Sequence, residues 1–130
     1  MNKFKVWDKQ DKGFIIPEDI FLRFMLSTGE LFINGTNFTE NFIVCKQLEV
    51  KDLNGNEIHE GDIVDVALEN LSNNINVTYG VVEFQEYEFV VVTELHDWPI
   101  ASWSRVYTCK VLGNIYENPN LIEKLNNEDR

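Results

Sequence analysis

The sequence predicts a mainly β protein: a small SH3-like β-barrel with an N-terminal β subdomain and a short C-terminal helix. Three observations predict it. Apolar runs are short and recur along the whole chain, the longest being stretches such as Phe89-Val90-Val91-Val92. Tight-turn signals separate them, at Asn34-Gly35, Asn54-Gly55 and Glu60-Gly61. The clearest helix-start signal, Asn118-Pro119, comes late in the chain.

The elements follow in order. Residues 4–7 alternate weakly and end in a polar turn at 8–13. Residues 14–16 form a short strand that stops at Pro17. Residues 20–26 are apolar apart from Arg23, and their length fits a strand or two helical turns. Ser27-Thr28-Gly29 reads as a turn, 31–33 as the return strand, and Asn34-Gly35 as a second turn. A strand through Cys45 is expected over 42–50.

Asn54-Gly55 reads as a two-residue hairpin loop of type I′, because Asn and Gly best tolerate the positive φ needed at both positions. It joins residues 48–53 to 56–59. Glu60-Gly61 is a second reversal. In 62–68, Ile63, Asp65 and Ala67 lie on one face and Val64, Val66 and Leu68 on the other. Residues 71–76 are Asn-rich and read as a mobile loop. Residues 77–84 and 87–93 form a hairpin around Gln85-Glu86, and 89–92 reads as a central strand covered on both faces. Residues 94–104, with Trp98, Pro99 and Trp103, read as irregular. A strand over 105–112 closes at Gly113. Asn118 is expected to cap a helix with Pro119 at its first position. Leu121, Ile122 and Leu125 give that helix an apolar stripe, and 126–130 should fray. The expected division is residues 1–45 as the β subdomain, 46–117 as the barrel and 118–130 as helix and tail.

Composition narrows the function classes. The 130 residues are 44% hydrophobic and 12% aromatic, enough for a modest core and against global disorder. No run approaches the roughly 20 apolar residues that span a bilayer, and the opening MNKFKVWDKQDKG lacks signal-peptide features. The expectation is a soluble chain in the cytoplasm, without membrane contact. Cys45 and Cys109 are 64 positions apart and read as reduced and buried. They have no closely spaced partner of zinc-site type. A site built from Cys45, Cys109, His59 and His96 is the nearest approach to one, and no metal or other cofactor is expected.

The net charge of -11 is unevenly spread. Residues 52–104 contain no Lys or Arg but hold Asp52, Glu57, Glu60, Asp62, Asp65, Glu69, Glu83, Glu86, Glu88, Glu94 and Asp97. The rest of the chain balances acids with bases. A nucleic-acid binder needs cations to replace phosphate counterions. The chain offers only a short basic start (Lys3, Lys5, Lys9, Lys12), so direct nucleic-acid binding is not expected.

Three blocks carry a resemblance to the YopX-like phage and prophage proteins. Lys3-Phe4-Lys5-Val6-Trp7-Asp8-Lys9 resembles a "KFRAWDK" opening. Residues 51–64, KDLNGNEIHEGDIV, resemble "KDKNGKEIYEGDIV". Gly113-Asn114-Ile115-Tyr116-Glu117-Asn118-Pro119 resembles "IGNIYENPEL", and Gly80-Val81-Val82-Glu83 falls where the family has "GVVE". The resemblance implies a phage or prophage origin, a β-rich fold with an SH3-like barrel, and a host-cytoplasmic setting. It brings no catalytic residues with it. The chain departs from the pattern at Glu49 (Gly in the family), Leu53 and Asn56 (Lys) and His59 (Tyr). Without the two lysines the hairpin is less basic, which weighs against an anion-binding turn.

Candidate sites divide into chemistry and contact. Asp62 and Asp65, with Glu57 and Glu60, have the residue types of a metal-dependent nuclease site. At odd spacing, however, Asp62 and Asp65 face opposite sides of a strand. Glu57 and Asp62 read more simply as acceptors for backbone N–H groups in adjacent turns. His96-Asp97 with Ser102 or Ser104 lacks the strand–turn–helix setting of a nucleophile elbow. Asn54, Gly55, Glu60 and Gly61 read as structural turns. Trp98 and Trp103 are the candidates for a protein interface or, alternatively, a barrel cap. The function expected is a non-enzymatic phage or prophage accessory protein acting through protein contacts: self-association to a homo-oligomer first, a host or phage protein second. The alternatives are an acidic mimic of nucleic acid and, more distantly, a metal-dependent enzyme.

Overall fold

The structure, a computed structural model, describes residues 4–15, 22–25, 30–33, 36–37, 40–69, 75–85, 88–93, 97–99 and 106–128. The chain divides into two compact units, residues 1–47 and 48–130. The division falls after Gln47, two residues beyond the expected boundary, and the C-terminal helix belongs to the second unit.

In the first unit, β1 (Phe4–Asp8) lies between β2 (Gly13–Ile15) and the start of β6 (Phe42–Lys51), both antiparallel to it. Asp8 closes the β1–β2 turn. Its Oδ1 accepts the N–H groups of Gln10 (2.9 Å) and Asp11 (3.2 Å), and its carbonyl accepts Lys12 N–H (2.9 Å). Lys12 takes the left-handed conformation, with φ of 54°. Across the hairpin, Trp7 and Phe14 are register partners in edge-to-face contact at 4.9 Å. Lys5 Nζ lies 4.0 Å from the centre of the Phe14 ring. A second antiparallel sheet contains β3 (Leu22–Met25), β4 (Glu30–Ile33) and β5 (Thr36–Asn37). Residues 20–26, open between strand and helix from sequence, therefore contain a strand. Asn34-Gly35 lies outside the described residues.

The second unit opens with the latter part of β6 and β7 (Glu57–His59), which form a hairpin. A five-stranded antiparallel sheet follows, formed by β8 (Asp62–Glu69), β9 (Ile75–Gln85), β10 (Glu88–Val92), β11 (Asp97–Pro99) and β12 (Val106–Asn114) in the order β11-β10-β9-β8-β12. The chain ends in α1 (Leu121–Glu128). The strand order is compatible with an SH3-like barrel. Among the described residues, no pairing closes β11 onto β12.

The core of this unit is Leu48, Ile58, Val64, Val66, Val82, Val91 and Cys109, with Phe89 and Val111 packed against it. Ile63, Val64 and Val66 are all buried, so β8 is covered on both faces. Adjacent Val90 and Val91 are both buried too, as expected for a covered β10. Each such side chain contributes about 1.5–3 kcal/mol by leaving water.

Several local expectations are corrected. The Asn-rich loop does not reach residue 76, because β9 begins at Ile75 and pairs there with Glu69. The irregular segment 94–104 contains a strand, β11, whose Trp98 is the register partner of Val91. Pro99 is tolerated there because β11 is an edge strand. The helix takes in residues 126–128 of the expected tail.

The Asn54-Gly55 turn is not type I′. Gly55 has φ of 83°, and Asn54 has no positive φ. Gly55 N–H donates to Asp52 O (3.1 Å) and Asp52 N–H to Asn56 O (2.9 Å). This is a three-residue loop, a type I turn over Leu53-Asn54 followed by a left-handed glycine bulge. The Asp52 side chain decides it. Its Oδ1 accepts Asn54 N–H at 2.9 Å, which holds residues 53–54 in the ordinary turn.

Candidate functional site

Two of the three signature blocks, residues 51–64 and 113–119, lie in the second unit, where buried polar side chains bind backbone. Asp52 is 93% shielded from solvent although charged. Its Oδ1 accepts Asn54 N–H and Asn56 N–H (2.7 Å). Its Oδ2 accepts Val111 N–H on β12 (2.9 Å) and Asn56 Nδ2–H (3.3 Å). Leu53 N–H donates to Cys109 O one step along the same strand (2.8 Å). Burial pushes the Asp52 carboxyl pKa up, but the four hydrogen bonds outweigh it and hold the group below its ordinary value.

Asp62 is the second buried acid, and its Oδ2 accepts His59 N–H at 2.7 Å. That bond closes the Glu60-Gly61 reversal. Gly61 has φ of 87°, its N–H donates to Val82 O (2.8 Å), and its carbonyl accepts Ile115 N–H (2.9 Å). The Tyr116 ring covers it so closely that a Cβ there would lie 2.5 Å from Tyr116 Cε2. Only glycine meets both demands.

Asn114 is the register partner of Asp62 and is also buried. Its Oδ1 accepts Tyr116 N–H (3.1 Å) and Glu117 N–H (2.8 Å), and its Nδ2 donates to Glu117 Oε1 (2.8 Å). Asn118 does not cap α1 as expected. Its Oδ1 turns back to accept Asn114 N–H (3.2 Å), and Asn120 O opens the helix by accepting Lys124 N–H (3.1 Å). The block Asn114-Ile115-Tyr116-Glu117-Asn118 is thus a polar corner between β12 and α1.

The arrangement uses its carboxylates for architecture. Asp62 is buried, and Asp65 is half-buried opposite Lys110 and Tyr79. Glu57 is exposed. Among the described residues, no three of His, Cys, Asp and Glu group to hold a metal ion. Every buried side-chain nitrogen or oxygen among them has a hydrogen-bond partner. Cys45 and Cys109 are buried and not joined in a disulfide, one in each unit. Burial and the negative charges of Asp52, Asp65 and Asp62 push the Cys109 thiol up to about 12, so it carries almost no thiolate at neutral pH. Of the interface candidates, Trp98 has its backbone on β11. Trp103, like His96, Ser102 and Ser104, lies outside the described residues. Sequence reasoning missed Asp52 and Asn114 as buried nodes. The signal was present: an Asp two positions before Asn-Gly favours a side-chain-closed turn.

The model of the YopX protein family matches residues 3–123. The chain belongs to the YopX family. Two solved structures share the fold. The crystal structure of protein yopX from Bacillus subtilis aligns with a TM-score of 0.62 at 21% identity, covering 94% of this chain and 97% of that one. Protein EF1440 from Enterococcus faecalis aligns with a TM-score of 0.58 at 22% identity, covering 94% and 98%. No curated protein matches the chain significantly. Two of the family blocks read from sequence, 51–64 and 113–119, form in this member the Asp52 hairpin, the Gly61–Tyr116 contact and the Asn114 corner.

Proposed function

We propose that this YopX-family chain is a non-enzymatic phage or prophage accessory protein that acts through protein contacts, first with copies of itself. One observation carries the reading. Three buried polar residues of the signature blocks, Asp52, Asp62 and Asn114, hold backbone N–H groups in place. A carboxylate saturated in this way is poorly placed to bind a metal or move a proton. Function then falls to the outer surface, where β11 lies at an edge of its sheet among the described residues. Sedimentation of the wild type beside Trp98→Ala and Trp103→Ala tests the reading. It expects an oligomer at roughly tens of micromolar, the range in which a useful interface should hold. At least one of the folded variants should dissociate. A monomeric wild type refutes self-association.

A second reading is an acidic mimic of nucleic acid, and charge placement favours it. Residues 1–47 carry six acids and six bases, whereas 48–130 carry sixteen acids and five bases. The whole net charge of -11 therefore belongs to the second unit. Such a surface would bind a cationic host or phage DNA-binding protein. Pull-down of such a protein should weaken steeply with salt, and salt-independent capture would refute the mimic.

A further inference from the structure

We infer that Asn54 is a latent deamidation site, an Asn-Gly pair kept from reacting by the Asp52 cap. The chemistry needs only water. The Gly55 amide nitrogen loses its proton to solvent base and attacks Asn54 Cγ. The new C–N bond closes a succinimide, and the side-chain amide takes up a proton and leaves as ammonia. Water then opens the ring at either carbonyl, giving aspartate or isoaspartate. Glycine as the following residue puts least bulk in the way of the attack.

Position alone would make this pair reactive. Asn54 and Gly55 are exposed at a hairpin tip. Four contacts oppose reaction. Gly55 N–H, the nucleophile, donates to Asp52 O (3.1 Å). Asn54 N–H and Asn56 N–H, on either side of the reacting pair, are both held by Asp52 Oδ1 at 2.9 and 2.7 Å. Asp52 Oδ2 anchors the loop to β12 through Val111 N–H. The loop therefore cannot swing Asn54 Cγ onto the Gly55 nitrogen without breaking the cap. The Asp52 charge also disfavours the amide anion that must attack. With its pKa held low, that charge persists across the neutral and alkaline range in which deamidation proceeds. Reaction then requires local opening of the hairpin. Isoaspartate would add a methylene to the backbone of a three-residue loop, and either product would add a negative charge beside Asp52.

The test is peptide mapping with isoaspartate detection after incubation at mildly alkaline pH, using the full chain. Folded wild type should convert at residue 54 at least about tenfold more slowly than wild type in concentrated urea, the factor for one lost hydrogen bond. Folded Asp52→Ala should approach the urea rate. Equal rates for folded and unfolded wild type overturn the inference, as does a folded Asp52→Ala that reacts no faster than wild type. If Asp52→Ala does not fold, wild type in sub-denaturing urea decides. There, conversion at Asn54 should rise in step with hydrogen exchange of the Gly55 amide, and conversion independent of that exchange overturns the inference.

Discussion

Replacing Gly61 by alanine should be among the costliest single-methyl additions in the second unit. The backbone term comes first. At φ of 87°, alanine must adopt a left-handed conformation, which costs about 1–2 kcal/mol. The packing term adds to it. The new Cβ would stand 2.5 Å from Tyr116 Cε2 and 3.2 Å from Cζ, so the ring must move. Tyr116 is half-buried, and displacing a packed ring costs about 1–3 kcal/mol. The sum, about 2–5 kcal/mol, is a large share of the ~5–15 kcal/mol that holds a typical domain folded. Urea unfolding followed by circular dichroism reads the loss as a lower midpoint at constant slope. Repeating the substitution in a Tyr116→Leu background separates the terms. With the ring removed, only the backbone cost of about 1–2 kcal/mol should remain. A loss below about 0.5 kcal/mol for Gly61→Ala would refute the reasoning. An equal loss in both backgrounds would show that Tyr116 is not the obstructing neighbour.

Three further outcomes follow from the same geometry. Asp52 has a depressed folded pKa, so its stabilisation is present above the unfolded carboxylate value near 3.8 and is lost as pH falls through the folded value. Asp52→Asn should flatten the acid limb of a stability-versus-pH curve, and an unchanged limb would contradict the four-bond cap. Buried Cys109, with its thiol pushed up to about 12, should resist alkylation at pH near 8 until urea is added, whereas native labelling at the denatured rate would contradict its burial. Lys12→Gly should stabilise by about 1 kcal/mol by relieving the left-handed conformation at φ of 54°, and a lowered melting temperature would count against that conformation.

Strand positions were legible where an apolar run ends at a turn residue whose local chemistry stops it. Gly61, between β7 and β8, marks such a place, whereas β12 does not close at Gly113 as expected but pairs on to Asn114. What the sequence left hidden depends on partners distant in the chain or on competition for one side chain. The turn type at Asn54 rests on which backbone amides Asp52 captures, and one of its four partners, Val111, is 59 positions away. β11 has no period of its own and contains a proline, so pairing with β10 makes it a strand. The start of α1 was misplaced because Asn118 had two donors within reach, and its side chain took Asn114 N–H. Within the site, Gly55 and Gly61 declared themselves through glycine chemistry. Asp52 and Asn114 did not, since a polar residue at a strand end usually faces water.

The clasp between the hairpin and β12 bears on whether a strand of another chain could add to this sheet. β12 is the terminal strand of its sheet, and a bare terminal strand templates the addition of another chain. Here two of its outward groups are already taken: Cys109 O by Leu53 N–H and Val111 N–H by the Asp52 carboxylate. An incoming strand would have to displace a charged oxygen that cannot donate in return. The same aspartate that shapes the turn therefore acts as a gatekeeper, and its loss would expose a site for strand-by-strand growth.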